Sequence, residues 1–153
     1  LTSDSVYASI YTMSNRIVVD TSVFISALIG KQGPSRAVLR NCLTGRYNPL
    51  ISNALFLEYE AVSSREIIRE HSPLTPVEIR ELLNAFYSVC QWVTIYYLWR
   101  PNLRDEDDNF LIELAIAGNA AWIVTNNVKD LKASELTFPD LRVLRPEELL
   151  RGE

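Results

Sequence analysis

Four acidic positions fall where a carboxylate is useful to chemistry or costly to the fold. Asp20 directly follows Ile17-Val18-Val19, a short β-branched apolar run of the kind that forms a buried parallel strand. It therefore sits at a strand's carboxyl end, where open α/β sheets bind their ligands. Its structural alternative is to cap the next helix, worth about 0.5–2 kcal/mol, but Thr21 and Ser22 already offer capping hydroxyls. Glu58 is placed by helical periodicity among Ala54, Leu55, Ala61 and Val62, while Glu60 points to the opposite side. A lone ionised carboxylate on an apolar face is disfavoured. Either an arginine (Arg16, Arg36 or Arg65) or a metal ion has to satisfy it.

The third position is Asp108, within Arg104-Asp105-Glu106-Asp107-Asp108-Asn109. Acids in a first helical turn favour the positive end of the helix dipole, and that alone explains part of the cluster. Asp108, however, lies on the inward stripe beside Leu111, Ile112 and Ala115, with Asp105 about 60° away on the wheel. Glu106 and Glu113 are expected to face outward, and Asp107 is ambiguous. The fourth cluster, Thr125-Asn126-Asn127-Val128-Lys129-Asp130, follows the apolar run Trp122-Ile123-Val124 and reads as a loop with a turn-forming asparagine pair. Asp20, Asp108, Asn127 and Asp130 thus fall at one sheet edge, with Glu58 aimed inward nearby. Two like charges 4 Å apart repel by about 4 kcal/mol at an effective dielectric of 20. Protons or a cation must relieve that repulsion, and all-oxygen donors suit Mg²⁺ or Mn²⁺ better than zinc. Such a cleft suits phosphate chemistry.

These residues need elements to hold them. Strands are expected at Ile17–Val19, Pro49–Ile51, Trp92–Ile95, Trp122–Val124 and Leu141–Leu144. Helices are expected after Ser22 or Thr21 as N-cap, from Pro34 with Val38, Leu39, Cys42 and Leu43 on one face and Gly45 as its stop, and from Ser52 to about Ser63. Others should run from the Thr75–Glu78 capping box with Ile79, Leu82, Leu83, Phe86 and Cys90 inward, from Asp105, and from Pro146. Strands alternating with helices specify an α/β three-layer sandwich, with a mostly parallel central sheet of about five strands flanked by helices.

Composition narrows the function classes. The chain has 153 residues, 48% apolar and 22% charged, which suits one ordinary folded domain. No apolar run approaches the roughly 18–20 residues of a membrane span, and no secretory signal pattern opens the sequence. Two cysteines make no disulfide framework, so a reducing cytoplasm is the expected compartment. One histidine, His71, cannot build a histidine-based metal site and reads as a loop residue. Net charge is −4, so nucleic-acid binding would need a local basic patch or metal ions in an acidic pocket. Residues 1–13 are set aside as a leader or appended remnant, expected to be disordered, and 14–153 as a single domain.

The pieces Ile17-Val18-Val19-Asp20-Thr21-Ser22, Leu57-Glu58-Tyr59, Arg104–Leu111 and Ile123–Leu131 come in one order and together resemble the PIN-domain (PilT N-terminal) family, specifically toxins of toxin–antitoxin pairs. The resemblance covers about residues 16–150. It implies a metal-dependent endoribonuclease that uses Mg²⁺ or Mn²⁺ and hydrolyses RNA phosphodiester bonds on a PIN-like fold. It also implies Asp20, Glu58 and Asp108 as core acids, Asp105 as an accessory acid, and Thr21 or Ser22 as polar support. The family's aspartate two residues after the threonine matched by Thr125 is Asn127 here, and Asp130 follows three further on. Asp130 takes the fourth role, or Asn127 holds a water on the metal, or the second metal binds weakly. Expected partners are RNA, a cognate antitoxin protein and a second copy of the chain.

Two other readings compete. One is a catalytically degenerate PIN-like binding module, made credible by Asn127. The other is a different Mg²⁺-dependent phosphate hydrolase with Asp20 as nucleophile, which fits poorly because Ser22 stands where a phosphatase of the haloacid-dehalogenase type wants a second aspartate. Lys31, Arg36, Arg40, Arg46, Lys129 and Lys132 are candidate phosphate contacts or simply a solvated face. Tyr96–Pro101 reads as core edge or dimer contact, and Cys42 and Cys90 as small hydrophobes.

Overall fold

Ile17, Val18 and Val19 of strand β1 (Arg16–Val19) are all 0% exposed. Successive strand side chains point to opposite faces, so both faces of β1 are covered and the sheet is a middle layer. The structure, a computed structural model, describes residues 15–30, 33–95 and 106–152, with side chains from Phe110 onward in the last stretch. Residues 1–13, Lys31, the Tyr96–Pro101 stretch, Asp105 and the side chain of Asp108 lie outside the described residues.

β1 pairs in parallel with β2 (Asn48–Ile51) on one side and with β4 (Trp122–Val124) on the other. β3 (Gln91–Trp92) lies beyond β2 and β5 (Arg142–Leu144) beyond β4, giving the all-parallel order β3-β2-β1-β4-β5. The chain builds outward from β1 to β3 and then returns to the other side of β1. The strand order therefore reverses between β1 and β4, the crevice where such sheets bind ligands.

Helices flank the sheet. Among the described residues they are α1 (Thr21–Ile29), α2 (Pro34–Leu43), α3 (Asn53–Ser63), α4 (Glu66–His71), α5 (Pro76–Val89), α6 (Glu106–Ala117), α7 (Val128–Leu131), α8 (Ser134–Thr137) and α9 (Pro146–Arg151). Local chemistry sets several ends. Ser52 Oγ accepts from Leu55 N at 3.2 Å, and the Thr75–Glu78 box closes with bonds of 2.9 and 3.1 Å. Gly45, just past α2, has φ +87°, a left-handed conformation that favours glycine.

α6 packs against β1, β2 and β4, and as the connection that leads into the parallel strand β4 it returns against the strand direction. The carbonyl of Gly118, just past its end, accepts from Arg16 Nη1 at 3.1 Å, at the amino end of β1. The first turn of α6, with Asp108, is thereby carried to the carboxyl edge of the sheet. Gly118 allows this close seating, because an added Cβ would lie 2.4 Å from Leu50 Cδ1.

Several expectations need correction. The N-cap of α1 is Asp20 rather than Thr21 or Ser22, and its side chain makes no capping bond because other hydroxyls occupy it. β3 covers only Gln91–Trp92. His71 ends α4 rather than lying in a loop, and Asp130 lies within α7. These short helices carry too few turns for periodicity to reveal them. Glu113 faces away from the Leu111–Leu114–Ala115 stripe, yet it is 7% exposed and its Oε1 is buried without a hydrogen-bond partner. Five consecutive residues of α6, Leu111–Ala115, are buried, so the helix is covered on more than one side and the outward reading fails.

Candidate active site

Asp20 is fixed across the reversal point. Its N–H donates to Val124 O at 2.9 Å, bridging the ends of β1 and β4. Its Oδ2 accepts from Thr125 Oγ1 at 2.7 Å and from Ser22 Oγ at 2.9 Å, while Oδ1 receives only a 3.4 Å contact from Thr21 Oγ1. Charge-assisted bonds of this kind are roughly twice as strong as neutral ones. Both hydroxyls spend their single proton on Asp20 and accept in turn: Thr125 Oγ1 from Asn127 N at 2.9 Å, Ser22 Oγ from Asn126 N at 3.0 Å. The Asn126 side chain donates to Ser22 O and Ser26 Oγ, and Arg145 Nη1 donates to Asn126 O at 3.1 Å. The loop after β4 is thus clamped to α1, with one carboxylate oxygen oriented and the other lightly engaged.

Thr125 is 0% exposed and makes two of these bonds. Thr125→Val removes both without changing shape. It is expected to cost about 1–3 kcal/mol of stability through the Asn127 N–H and Asp20 oxygen it abandons. Urea unfolding of the two proteins side by side checks this, and an unchanged midpoint refutes the clamp.

Glu58 is half-buried and borders the buried stripe of α3, made by Leu55, Tyr59, Val62 and Ser63, instead of projecting from its centre. No hydrogen bond or ion pair engages its carboxylate among the described residues. The arginine alternative is not realised by Arg16, which donates to Gly118 O, and Arg36 Nε donates to Ala27 O at 2.9 Å. Beside Glu58, Tyr59 Oη donates to the carbonyl of Val19 at 2.5 Å, joining α3 to the residue before Asp20. The helix that carries Glu58 is therefore tied directly to the backbone leading into Asp20.

The remaining candidates are placed less closely. Asn127 is the N-cap of α7, and its side chain makes no capping bond. Asp130 is exposed in that helix's first turn. Among the described residues no three His, Cys, Asp or Glu side chains are grouped to hold a metal ion. Asp20 and Glu58 are the described members of the expected set. Both are hard oxygen donors without a cationic partner among the described residues, a donor chemistry that fits Mg²⁺ or Mn²⁺. Lys132 is engaged with Glu135 at 3.1 Å and with Val143 O. Cys42 is buried at 1% exposure, which pushes its thiol up to about 12 and leaves it a core residue.

Sequence reasoning placed Thr125 and Asn126 in the polar cluster at the sheet edge without giving either a partner, and it gave Tyr59 no part in building the site. A buried tyrosine needs a partner for its hydroxyl, and that was the available signal for Tyr59.

A parallel five-stranded α/β domain with one hydroxyl-oriented carboxylate, Asp20, at its carboxyl edge defines the class. The PIN domain family model matches residues 16–129, and the chain belongs to that family. Among solved structures it is similar to the VapBC2 complex of Rickettsia felis bound to a DNA fragment from its promoter, at 19% identity and a TM-score of 0.54, covering 84% of this chain and 96% of that one. That likeness shows the fold. Among curated protein sequences none matches the chain. No helix among the described residues is long and apolar enough to cross a membrane.

Proposed function

We propose that this PIN domain is a divalent-metal-dependent endoribonuclease and the toxin of a toxin–antitoxin pair, acting in the cytoplasm. The observation that carries the reading is Asp20: a carboxylate held by Thr125 and Ser22 at the crevice between β1 and β4. Asp20 and Glu58, with Asp108 of α6 and the accessory acid Asp105, would hold Mg²⁺ or Mn²⁺. When bound, such a cation polarises a phosphodiester oxygen and makes water nucleophilic at neutral pH. The chain's own residues do the positioning. Ser22 and Thr125 fix one oxygen of Asp20, and the Asn126 clamp keeps the β4–α7 loop in place. Asn127 and Asp130 border the same edge and are the two candidates for the fourth ligand.

A protein partner is supported by a groove of about 470 Å³ between α1, α2 and α5. Leu39, Leu43, Leu74 and Leu82 line it, with Arg40 and Glu81 also on its wall. That suits the apolar face of an amphipathic antitoxin helix. Leu57 at 63% and Trp92 at 49% exposure, the latter against Phe56, offer apolar surface to a second copy of the chain.

The purified protein is expected to cleave single-stranded RNA with Mg²⁺ or Mn²⁺ and to lose cleavage with EDTA, recovering it when metal is restored. Cleavage that persists in EDTA refutes metal dependence. No cleavage under any condition, with an antitoxin peptide still bound, supports the degenerate binding module that Asn127 suggests.

A further inference from the structure

Tyr59 is the largest of the fully buried side chains among the described residues, at 0% exposure, and its hydroxyl reaches 40 positions back along the chain to Val19. The carbonyl it holds belongs to the Val19–Asp20 peptide unit. The N–H of that same unit donates to Val124 O at 2.9 Å, towards β4. In a trans peptide the two groups point opposite ways, so the Val19 carbonyl faces the β2 side. There the strand register is already finished, since β1 and β2 pair only at Arg16↔Asn48 and Ile17↔Pro49. The Tyr59 hydroxyl stands where a ladder partner would be. The peptide unit leading into Asp20 is thereby pinned at both ends, by β4 on one side and by the helix of Glu58 on the other.

The ring is itself held. Its centroid lies 4.8 Å from that of Phe24, 5.6 Å from Phe86 and 6.5 Å from Tyr87. Burial above all, then the neighbouring Cys90 and Asp20, pushes the phenol well above its ordinary range, so it remains a donor.

The geometry points to Tyr59 as a positioning residue: by holding the Val19 carbonyl it fixes the backbone of Asp20 relative to the helix carrying Glu58, and so sets the spacing of the two carboxylates that would share a divalent cation. This role rests on the metal-dependent reading above. Tyr59 touches neither cation nor substrate and acts only through Asp20 and Glu58.

Tyr59→Phe tests it, because the ring and its aromatic neighbours stay while one oxygen leaves. Mn²⁺ is titrated calorimetrically into the full chain without RNA, at a temperature where circular dichroism shows every variant folded. The Mn²⁺ midpoint is expected to rise about tenfold and kcat to fall about tenfold, with KM for RNA within about twofold of wild type, the scale seen when a group supporting a metal ligand is removed. Leu83→Ala, which removes buried packing from α5 and leaves the Tyr59 hydroxyl in place, is the control and is expected to leave the Mn²⁺ midpoint unchanged. If Tyr59→Phe binds Mn²⁺ like wild type, or Leu83→Ala shifts the midpoint equally, the positioning role is overturned while metal dependence stands. If wild type takes up no Mn²⁺, both are overturned.

Discussion

Asp20→Asn is expected to reduce RNA cleavage by about 10²–10³-fold, the scale of removing one preorganised electrostatic group from a reacting site. The substitution is nearly isosteric. The amide oxygen can still accept from Thr125 and Ser22, so the clamp between α1 and the β4–α7 loop survives. What disappears is the negative charge and one oxygen donor. Stability should therefore fall by only about 1 kcal/mol, as hydrogen bonds to a charge become neutral ones. Single-turnover cleavage and a urea midpoint, measured on the same preparation, separate the two effects. Equal rates for variant and wild type would remove Asp20 from the chemistry, and a collapsed midpoint would make its role structural.

The largest effect on stability is expected at Phe24. It is 0% exposed, with ring centroids 4.8 Å from Tyr59 and 5.0 Å from Phe86, at the junction of α1, α3 and α5. Phe24→Ala leaves a void at the centre of that aromatic group, whose rigid rings collapse poorly into empty space. The expected cost is about 3–5 kcal/mol, which lowers Tm by about 10 °C at the roughly 2–4 °C per kcal/mol typical of chains this size. Calorimetry checks it. A loss below about 1 kcal/mol would mean that the core closes around the gap and that the rings are not a rigid unit.

The framework was legible where local pattern and tertiary demand agree. Ile17-Val18-Val19 and Trp122-Ile123-Val124 announce buried parallel strands because every side chain must be apolar when both faces are covered. Ser52, Thr75 and Pro146 mark helix starts by chemistry confined to a single turn. Asp20 stood out because it interrupts such a pattern, and Glu58 because periodicity set it on an apolar face that it in fact only borders. What failed was long-range. Thr125 looks like an ordinary loop residue until its hydroxyl is seen to reach Asp20, 105 positions away. Tyr59 looks like simple core until the peptide it holds is identified. Glu113 was misjudged because periodicity describes one covered face, whereas α6 is covered on more than one. The choice of N-cap was wrong for a related reason: a hydroxyl available for capping was recruited instead by the acid beside it.

The central claim is that Asp20 and Glu58, with Asp108, share one divalent cation. An anomalous difference map from a crystal soaked in Mn²⁺ tests it most directly. The expected result is a peak at about 2.1 Å from oxygens of both Asp20 and Glu58, with Asp108 completing the coordination. A Mn²⁺ peak bound elsewhere, or none while the two carboxylates lie on separate surfaces, contradicts it.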